Sequence, residues 1–291
     1  MTTAVQNTHW PAYSGRRFRF LNLLLCSFLL LLSSFAVLAE NTPTPKDSRD
    51  SNRNDIQQPA ISIIIDDLGY LKKRDTRAIQ LPGSITYAIL PHTPHAQELA
   101  ILAHKMNKEV MLHQPMESQV NTKLGPGGLM LNMTRDQFTA QLKSNLDAIP
   151  YVVGINNHMG SLLTQHPGHM RWLMQEVRNQ NNLYLVDSYT TKASILQKIA
   201  DENWIPNLRR DVFLDSDRDP AKIRMHFRRL LKIARKTGIA LAIGHPYPET
   251  MAVLEEELPK LGNMGIQLIP VSKLLDRDNK RFKTWRASLS H

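Results

Sequence analysis

From residue 59 onward, short apolar runs alternate with longer segments in which apolar residues recur every three or four positions. The clearest run is Ile61–Asp67, in which four isoleucines precede two adjacent aspartates. A short β-branched run of this kind is typical of a strand that is buried on both faces, as in a parallel sheet covered by helices. Seven such runs predict strands at residues 61–65, 85–90, 109–112, 152–155, 183–186, 239–243 and 267–271.

Six segments with helical periodicity lie between these runs. Thr134 precedes one of them, and Asp219 followed by Pro220 precedes another, which are residue types that favour helix starts. Strands that alternate with helices predict an α/β protein with a mostly parallel sheet, closed or nearly closed into a barrel. The predicted helices span residues 96–107, 135–148, 169–179, 192–203, 221–236 and 249–261.

The first 39 residues have the pattern of an export signal, with three arginines, a leucine-rich core and small residues before position 40. The core is long for a signal peptide, so an uncleaved N-terminal anchor is the alternative. Either way, we expect a periplasmic or otherwise exported protein. Polar residues 40–58 predict a linker, 59–275 a single domain and 276–291 a basic tail. The single cysteine, Cys26, lies in the signal, and its removal would leave no thiol nucleophile.

Composition and charge narrow the possible partners. With 42% hydrophobic residues and a mean hydropathy of −0.32, the chain is typical of a globular protein and not of a polytopic membrane protein. The net charge of +10 suits work near anionic envelope polymers or membrane surfaces. Nucleic acid is not an expected partner, because the basic residues are scattered and aromatic residues are not interleaved with them. We interpret the basic clusters at 224–236 and 280–286 as a solvated helix face and a tail.

Residues that can do chemistry stand at the ends of five predicted strands. Because parallel strands gather their carboxyl ends at one edge of a sheet, these side chains are expected to lie close together. An aspartate and two histidines form a suitable ligand set for a divalent metal, and an open position on that metal would activate water. The alternative is that the adjacent aspartates only cap a loop. The strand-end residues are Asp66, Asp67, His113, Asn156, Asn157, His158, Asp187 and His245.

Other candidate chemistry is weaker. His92 and His95 are separated by a turn and need not face one point, so we do not expect them to bind a metal. The sequence has no Gly-x-Ser-x-Gly elbow and no phosphate-binding glycine loop of the standard forms. The remaining histidines of the predicted helices are expected at the surface: His104, His166, His169 and His226.

Five ordered motifs resemble the divergent polysaccharide deacetylases, over residues 59 to about 275. They read Ile-Ile-Ile-Asp-Asp-x-Gly, Leu-His-x-Pro-Met-Glu, Gly-x-Asn-Asn-His-Met-Gly-Ser, Val-Asp-Ser-x-Thr and Ile-Gly-His-Pro. The resemblance implies a distorted (β/α) barrel of seven or eight strands, and an exported enzyme that hydrolyses amides of an envelope polysaccharide or a peptidoglycan-type glycan. It also implies that Asp66 is the general base, that Asp67 and His113 bind a metal, and that His245 is the general acid.

The chain departs from the broader deacetylase group at two points. Glu117 stands where that group has its second metal histidine, and residues 156–160 replace an Arg-Pro-x-Tyr segment. We therefore expect His158 to be the third ligand of a divalent metal, with zinc as the expected ion. Glu117 is then a fourth ligand or a substrate contact, and Asn156, Asn157 and Asp187 are further expected substrate contacts.

Two alternative functions stay open at this point. The first is a catalytically silent protein on the same barrel that binds glycan or assists envelope assembly. The second is a glycosidase in which Asp66 works with Asp187 or Glu117.

Overall fold

The computed structural model describes residues 58–120, 123–180 and 183–279. The predicted export segment, the predicted linker up to residue 57 and most of the predicted basic tail lie outside these residues. Within the described part of the chain, no helix is both long and apolar enough to cross a membrane. The strands are β1 (Ala60–Leu68), β2 (Thr86–Ile89), β3 (Glu109–Met116), β4 (Val152–Met159), β5 (Tyr184–Asp187), β6 (Asn207–Arg209), β7 (Val212–Phe213), β8 (Ile239–Gly244) and β9 (Gln267–Leu268).

Helices follow most of the strands. Two starts are as predicted: Thr134 forms a capping box with Gln137, and the Asp219 side chain accepts from the amide of Ala221, with Pro220 in the first turn. These contacts satisfy amides that have no partner inside the helix. The helices are α1 (Lys72–Ile79), α2 (Ala96–Lys105), α3 (Arg135–Asp147), α4 (Pro167–Asn179), α5 (Leu196–Glu202), α6 (Pro220–Thr237), α7 (Pro248–Glu257) and a last helix, α8, over 271–279.

The sheet confirms the predicted fold class. Its strand order is β6-β5-β4-β3-β2-β1-β8-β7, the short β9 also pairs with β1, and every pairing is parallel. The strands β6 and β7 stand at opposite ends of this order, so the sheet curls into an open, distorted barrel. The strand β1 is an inner strand, between β2 and β8, and the isoleucines of Ile61–Ile65 are fully buried, as the apolar run predicted.

Two apolar clusters cover the two faces of the sheet. The larger one joins Ile61, Ile63 and Ile65 to the helices outside the barrel. The smaller one lies inside and includes Ala60 and Ile64, together with residues of α8. Successive side chains of a strand alternate between faces, so the face of each site residue follows from its neighbours two positions away.

Several predicted boundaries are wrong. The helix α1 was missed because it is short and polar, with only three buried residues. The strands β6 and β7 were missed because they have three and two residues. In contrast, β3 and β4 are longer than predicted, because their pairing continues from His113 and Asn156 to Met116 and Met159. The predicted last strand is short and passes into α8 at residue 271.

Candidate metal and catalytic site

Asp66 and Asp67 lie at the carboxyl end of β1. Ala60 and Ile64 face the inside of the barrel, and strand alternation puts Asp66 on the same side, where only 3% of it is exposed. Asp67 follows with a φ of 60°, a left-handed conformation that aspartate tolerates better than most residues. This turn lets two consecutive carboxylates approach one site.

The turn after the aspartate pair is fixed by the start of α1. The buried Asp75 carboxylate accepts from the Gly69 amide at 2.8 Å and pairs with Arg74 at 2.7 Å. Arg74 also donates to the carbonyl of Asp67 at 3.0 Å. Gly69 has a φ of 131°, and a Cβ there would lie 2.0 Å from Oγ1 of Thr93. Only glycine fits this position without a shift of the backbone.

We expect Gly69→Ala to lower the free energy of unfolding by about 1–3 kcal/mol, because the added methyl group meets Thr93 and the backbone is strained. The matched control is Gly262→Ala, where a Cβ meets nothing within 4 Å. This control should change stability by less than about 0.5 kcal/mol. Chemical denaturation of the three proteins measures the difference, and equal stability of all three would contradict this account of the turn.

His113 and His158 come from the neighbouring strands β3 and β4. His113 pairs in register with Asn156, and Pro115 with His158, so both histidines reach the same edge as Asp67. Oδ1 of Asp67 lies 3.1 Å from Nε2 of His113 and 2.9 Å from Nδ1 of His158, and the two nitrogens are 3.1 Å apart. Among the residues that the structure describes, Asp67, His113 and His158 form the one cluster whose ligand atoms are close enough to hold a metal ion together. We call it the metal-compatible group.

Oδ1 of Asp67, which lies between the two imidazoles, is energetically unfavourable unless a cation is bound beside it. Oδ1 is buried and accepts no well-aligned hydrogen bond, although both imidazole nitrogens are close. A buried carboxylate oxygen without a partner is costly, and a cation bound at that point would remove the cost. One carboxylate and two imidazoles also form a donor set that divalent metals accept. The residues therefore fit a metal.

Asn156 fixes the orientation and tautomer of His113. Its Nδ2 donates to Asp66 at 2.8 Å, so its Oδ1 is the atom that faces Nδ1 of His113 at 2.9 Å. In the neutral imidazole of His113, Nδ1 then carries the proton, as assigned from these hydrogen bonds, and Nε2 presents a lone pair towards Asp67 and His158. A partner of this kind commonly supports a metal-binding histidine.

Electrostatics at the centre favour positive charge. Burial by itself would raise the pKa of Asp67, but the close imidazoles of His113 and His158 outweigh it and hold this pKa well below its usual range. Burial would lower the pKa of His113, yet the Asp66 and Asp67 carboxylates raise it. Burial also raises the pKa of Asp66. The same negative charge that retains a proton on His113 would attract a metal ion, which competes with that proton.

His245 at the end of β8 is held by Asp215, which the sequence analysis did not identify. The Asp215 carboxylate lies 3.0 Å from Nδ1 of His245 and accepts from the His245 amide and the Thr250 hydroxyl. Burial would lower the pKa of His245, but Asp215, with help from Asp66 and Asp67, raises it to about 9. Its Nε2 faces Asp67 at 3.8 Å. The imidazole is therefore protonated at neutral pH and can donate a proton.

This pair gives a pH-dependent contribution to stability. Because the pKa of His245 in the folded protein, about 9, is above the ordinary value of 6.5, the contribution is complete below pH 6.5. It is lost as the pH rises through 9. We expect Asp215→Asn to destabilise the metal-free protein by about 1–3 kcal/mol more at pH 6 than at pH 10. Denaturation at both pH values tests this, and a pH-independent loss would contradict it.

The site opens into a cavity of about 340 Å³. Asp66, His113, His158 and His245 line it together with Phe213, whose ring centre is 5.3 Å from that of His245. The loops after β5 and β6 contribute further lining residues that were not predicted as site residues, although two of them belong to the Val-Asp-Ser-x-Thr motif: Ser188, Tyr189, Thr190 and Arg210.

Of the residues expected to contact substrate, one lines the cavity and the others do not. Asn157 lines the cavity, but its amide also bridges the Ser188 amide and the Met159 carbonyl. The Asp187 oxygens accept from Tyr189 and Ser194, because alternation turns Asp187 away from the inner face that Val186 shares. The Glu117 carboxylate accepts from the Leu131 amide at 2.6 Å. Among the described residues that line the cavity, neither Asp187 nor Glu117 is found.

The other histidines lie outside the metal-compatible group that the structure describes. His92 contacts Asn145 at 2.9 Å, and His95 lies 3.8 Å from Glu98. His169 corrects the expectation of a surface residue: it is 4% exposed and packs against Phe138 and Trp172. The helical pattern placed it at the start of α4, where it faces inward.

A parallel (β/α) barrel that carries an Asp/His/His cluster beside a second buried carboxylate fits the class of metal-dependent carbohydrate deacetylases. Residues 63–275 match the model of the divergent polysaccharide deacetylases, and the chain belongs to this family. The resemblance of the five motifs is thereby confirmed.

Relatives of the chain are similar over most of its length. It is 36% identical to the uncharacterized protein YibQ of Escherichia coli K12 over 216 residues, which cover 74% of this chain and 67% of YibQ. It is 35% identical to an uncharacterized protein of Haemophilus influenzae, over 75% of this chain and 77% of that protein. The crystal structure of the uncharacterized protein ATU2773 from Agrobacterium tumefaciens C58 shares the fold. Its TM-score is 0.72 at 23% identity, over 75% of this chain and 89% of that one.

Proposed function

We propose that the protein is an exported, metal-dependent hydrolase that removes acyl groups, acetyl first among them, from amino sugars of an envelope glycan. The observation that carries the proposal is the convergence of Asp67 Oδ1, His113 Nε2 and His158 Nδ1 on one point, with all three pairs of atoms within 3.1 Å. Asp66 and His245 line the same cavity. Membership of the divergent polysaccharide deacetylase family supports a carbohydrate amide as the substrate.

The proposed ion is zinc, held by Asp67, His113 and His158. Two imidazoles and one carboxylate, with a position left for water, are a ligand set used by catalytic zinc. When bound, such an ion polarises the acyl carbonyl and makes water more acidic. The hydrogen bond from His113 to Asn156 would keep the imidazole in the orientation that this role needs.

Asp66 is the proposed general base. Its Oδ1 is occupied by Asn156 at 2.8 Å, so Oδ2, which lies 3.6 Å from Nε2 of His113, is the atom nearest the centre that can accept a proton from water. Burial raises the pKa of Asp66, which makes its carboxylate a stronger base than an exposed aspartate.

His245 is the proposed general acid. With Nδ1 held by Asp215, Nε2 can give its proton to the sugar nitrogen as the carbon–nitrogen bond breaks. Water contributes the oxygen to the released carboxylate, and the glycan keeps a free amine. The pKa of about 9 keeps His245 protonated at neutral pH before the reaction.

Export is the remaining part of the proposal. It is supported by the arginines at 16, 17 and 19, the leucine-rich core and the small residues that end at Ala39. An envelope glycan as substrate requires this location.

Acetate release from chitin oligomers and peptidoglycan fragments tests the proposed activity. The protein with zinc should release acetate and leave free amines, while a chelator should stop the reaction and added zinc restore it. Release of new reducing ends without acetate would instead indicate a glycosidase and would refute the proposal.

A further inference from the structure

The helix α6 is unusually basic. It carries seven lysines and arginines in 18 residues and no acidic residue. Its buried face is apolar and packs on the barrel through Ile223, Phe227, Leu230, Leu231 and Ala234. The opposite face is exposed to solvent along the second half of the helix.

Within the described part of the chain, only the first two cations of α6 form ion pairs. Lys222 bonds with Asp217, and Arg224 lies 2.9 Å from Glu256 and 2.6 Å from Glu257. The other five are exposed, and none of them forms an ion pair with another described residue. We call these five the α6 cationic face: Arg228, Arg229, Lys232, Arg235 and Lys236.

Among the described residues, no ion pair offsets the repulsion within the α6 cationic face. Arg228, Lys232 and Lys236 are spaced four residues apart, and like charges at this spacing destabilise a helix. The nearest acids of the neighbouring α7, Glu256 and Glu257, are already bound by Arg224 and Lys260. Exposure to solvent explains why this face of α6 is polar. It does not explain why all five of its charged side chains are cations and why the helix carries no acidic residue.

The α6 cationic face lies towards the edge of the barrel opposite the catalytic site. The helix starts at the catalytic edge, shortly after Asp215, and ends at Gly238, whose carbonyl accepts from the Ala60 amide at 3.0 Å. At 1.5 Å per residue, the last cation, Lys236, is about 24 Å along the axis from the helix start. The chain also enters the barrel at this edge, where the Gln58 carbonyl accepts from Arg277 at 2.9 Å.

We propose that the α6 cationic face docks on the anionic phospholipid headgroups of a bilayer. Charge complementarity supports this partner, since clustered lysines and arginines are attracted to a negative membrane surface. The position supports it too, because Gln58, which follows the predicted export segment in the sequence, lies at this same edge of the barrel. Nucleic acid fits less well, because the face has no aromatic side chain to stack on bases. Docking in this way directs the catalytic edge away from the lipid.

Vesicle sedimentation tests the proposal with residues 40–291, which contain all of the buried core that the structure describes. The vesicles are phosphatidylcholine alone or phosphatidylcholine with phosphatidylglycerol. The test variant replaces three of the five cations with glutamine: Arg229→Gln, Lys232→Gln and Lys236→Gln. The control removes the same charge elsewhere, at exposed lysines that have acidic partners: Lys143→Gln, Lys198→Gln and Lys273→Gln.

We expect the unmodified protein to bind only the anionic vesicles and to be released as salt rises from about 0.1 M to about 1 M. The test variant should bind on the order of 100-fold more weakly, since each cation near the surface contributes several-fold. The control should bind nearly as well as the unmodified protein. Thermal unfolding of both variants verifies that they are folded.

Three results would overturn the proposal. The first is equal binding to both kinds of vesicle, and the second is an equal loss in test and control variants, which would indicate a net-charge effect without a specific face. The third is binding to a soluble polyanion such as polygalacturonate through the same three residues with no binding to vesicles. That result would assign the face to an acidic polysaccharide.

Discussion

Replacement of His113 by alanine is expected to abolish stoichiometric zinc binding. His113 supplies one of the three ligand atoms of the metal-compatible group, and the alanine variant keeps only Asp67 and His158 of that group. Loss of a partner behind a ligand costs about 10–100-fold in metal affinity, so loss of a ligand itself should cost more than about 100-fold. Elemental analysis and competition with a zinc indicator measure the change.

His95→Ala is the matched control for this variant. His95 follows His92 by three residues in the sequence, but it is outside the metal-compatible cluster of the described residues. Its replacement should leave zinc content near one ion per chain. If the His113→Ala protein keeps the same zinc content as the unmodified protein, the ligand assignment is wrong.

Asp66→Asn should separate catalysis from metal binding. The asparagine keeps the size of the side chain and an oxygen that can accept from Asn156, but it cannot take a proton from water. We expect acetate release to fall by about 10²–10⁴-fold, the usual contribution of a general base, while zinc content stays the same. The rate of acetate release and elemental analysis on the same preparation measure both quantities.

The control for this variant is Asp147→Asn, which removes an exposed carboxylate on α3 with 65% of its side chain accessible. It should leave the rate of acetate release unchanged. Full activity of the Asp66→Asn protein would remove Asp66 as the base. An unmodified protein that binds zinc and chitin oligomers but releases no acetate would favour the alternative of a silent glycan-binding protein.

The sequence was sufficient to predict the strand-end cluster because its elements are long and regular. The buried isoleucines identify β1, and parallel pairing then brings Asp66 and Asp67 near the ends of β3 and β4. Side-chain alternation along β4 puts Asn156 and His158 on one face. The hydrogen bond between Asn156 and His113 could not be read from the sequence, because it depends on the register of β3 with β4.

Asp215 shows where the sequence pattern was too short. It follows β7, a strand of two residues whose pairing with β8 positions Asp215 beside His245. Two residues carry no periodicity, so the carboxylate did not stand out among the acids of that loop.

Asp187 is the opposite case, a residue that the sequence pattern selected but that does not line the cavity. It does end a predicted strand, but a strand end has two faces, and hydrogen bonds from Tyr189 and Ser194 hold its carboxylate on the outer one.

Anomalous scattering at the zinc edge, from crystals grown with zinc, shows directly whether these three residues hold the ion. We expect one strong peak per chain bonded to Oδ1 of Asp67, Nε2 of His113 and Nδ1 of His158, with Asp66 and His245 in the adjoining cavity. A peak held by other residues, or none at this cluster under saturating zinc, would contradict the metal site and the hydrolytic mechanism that depends on it.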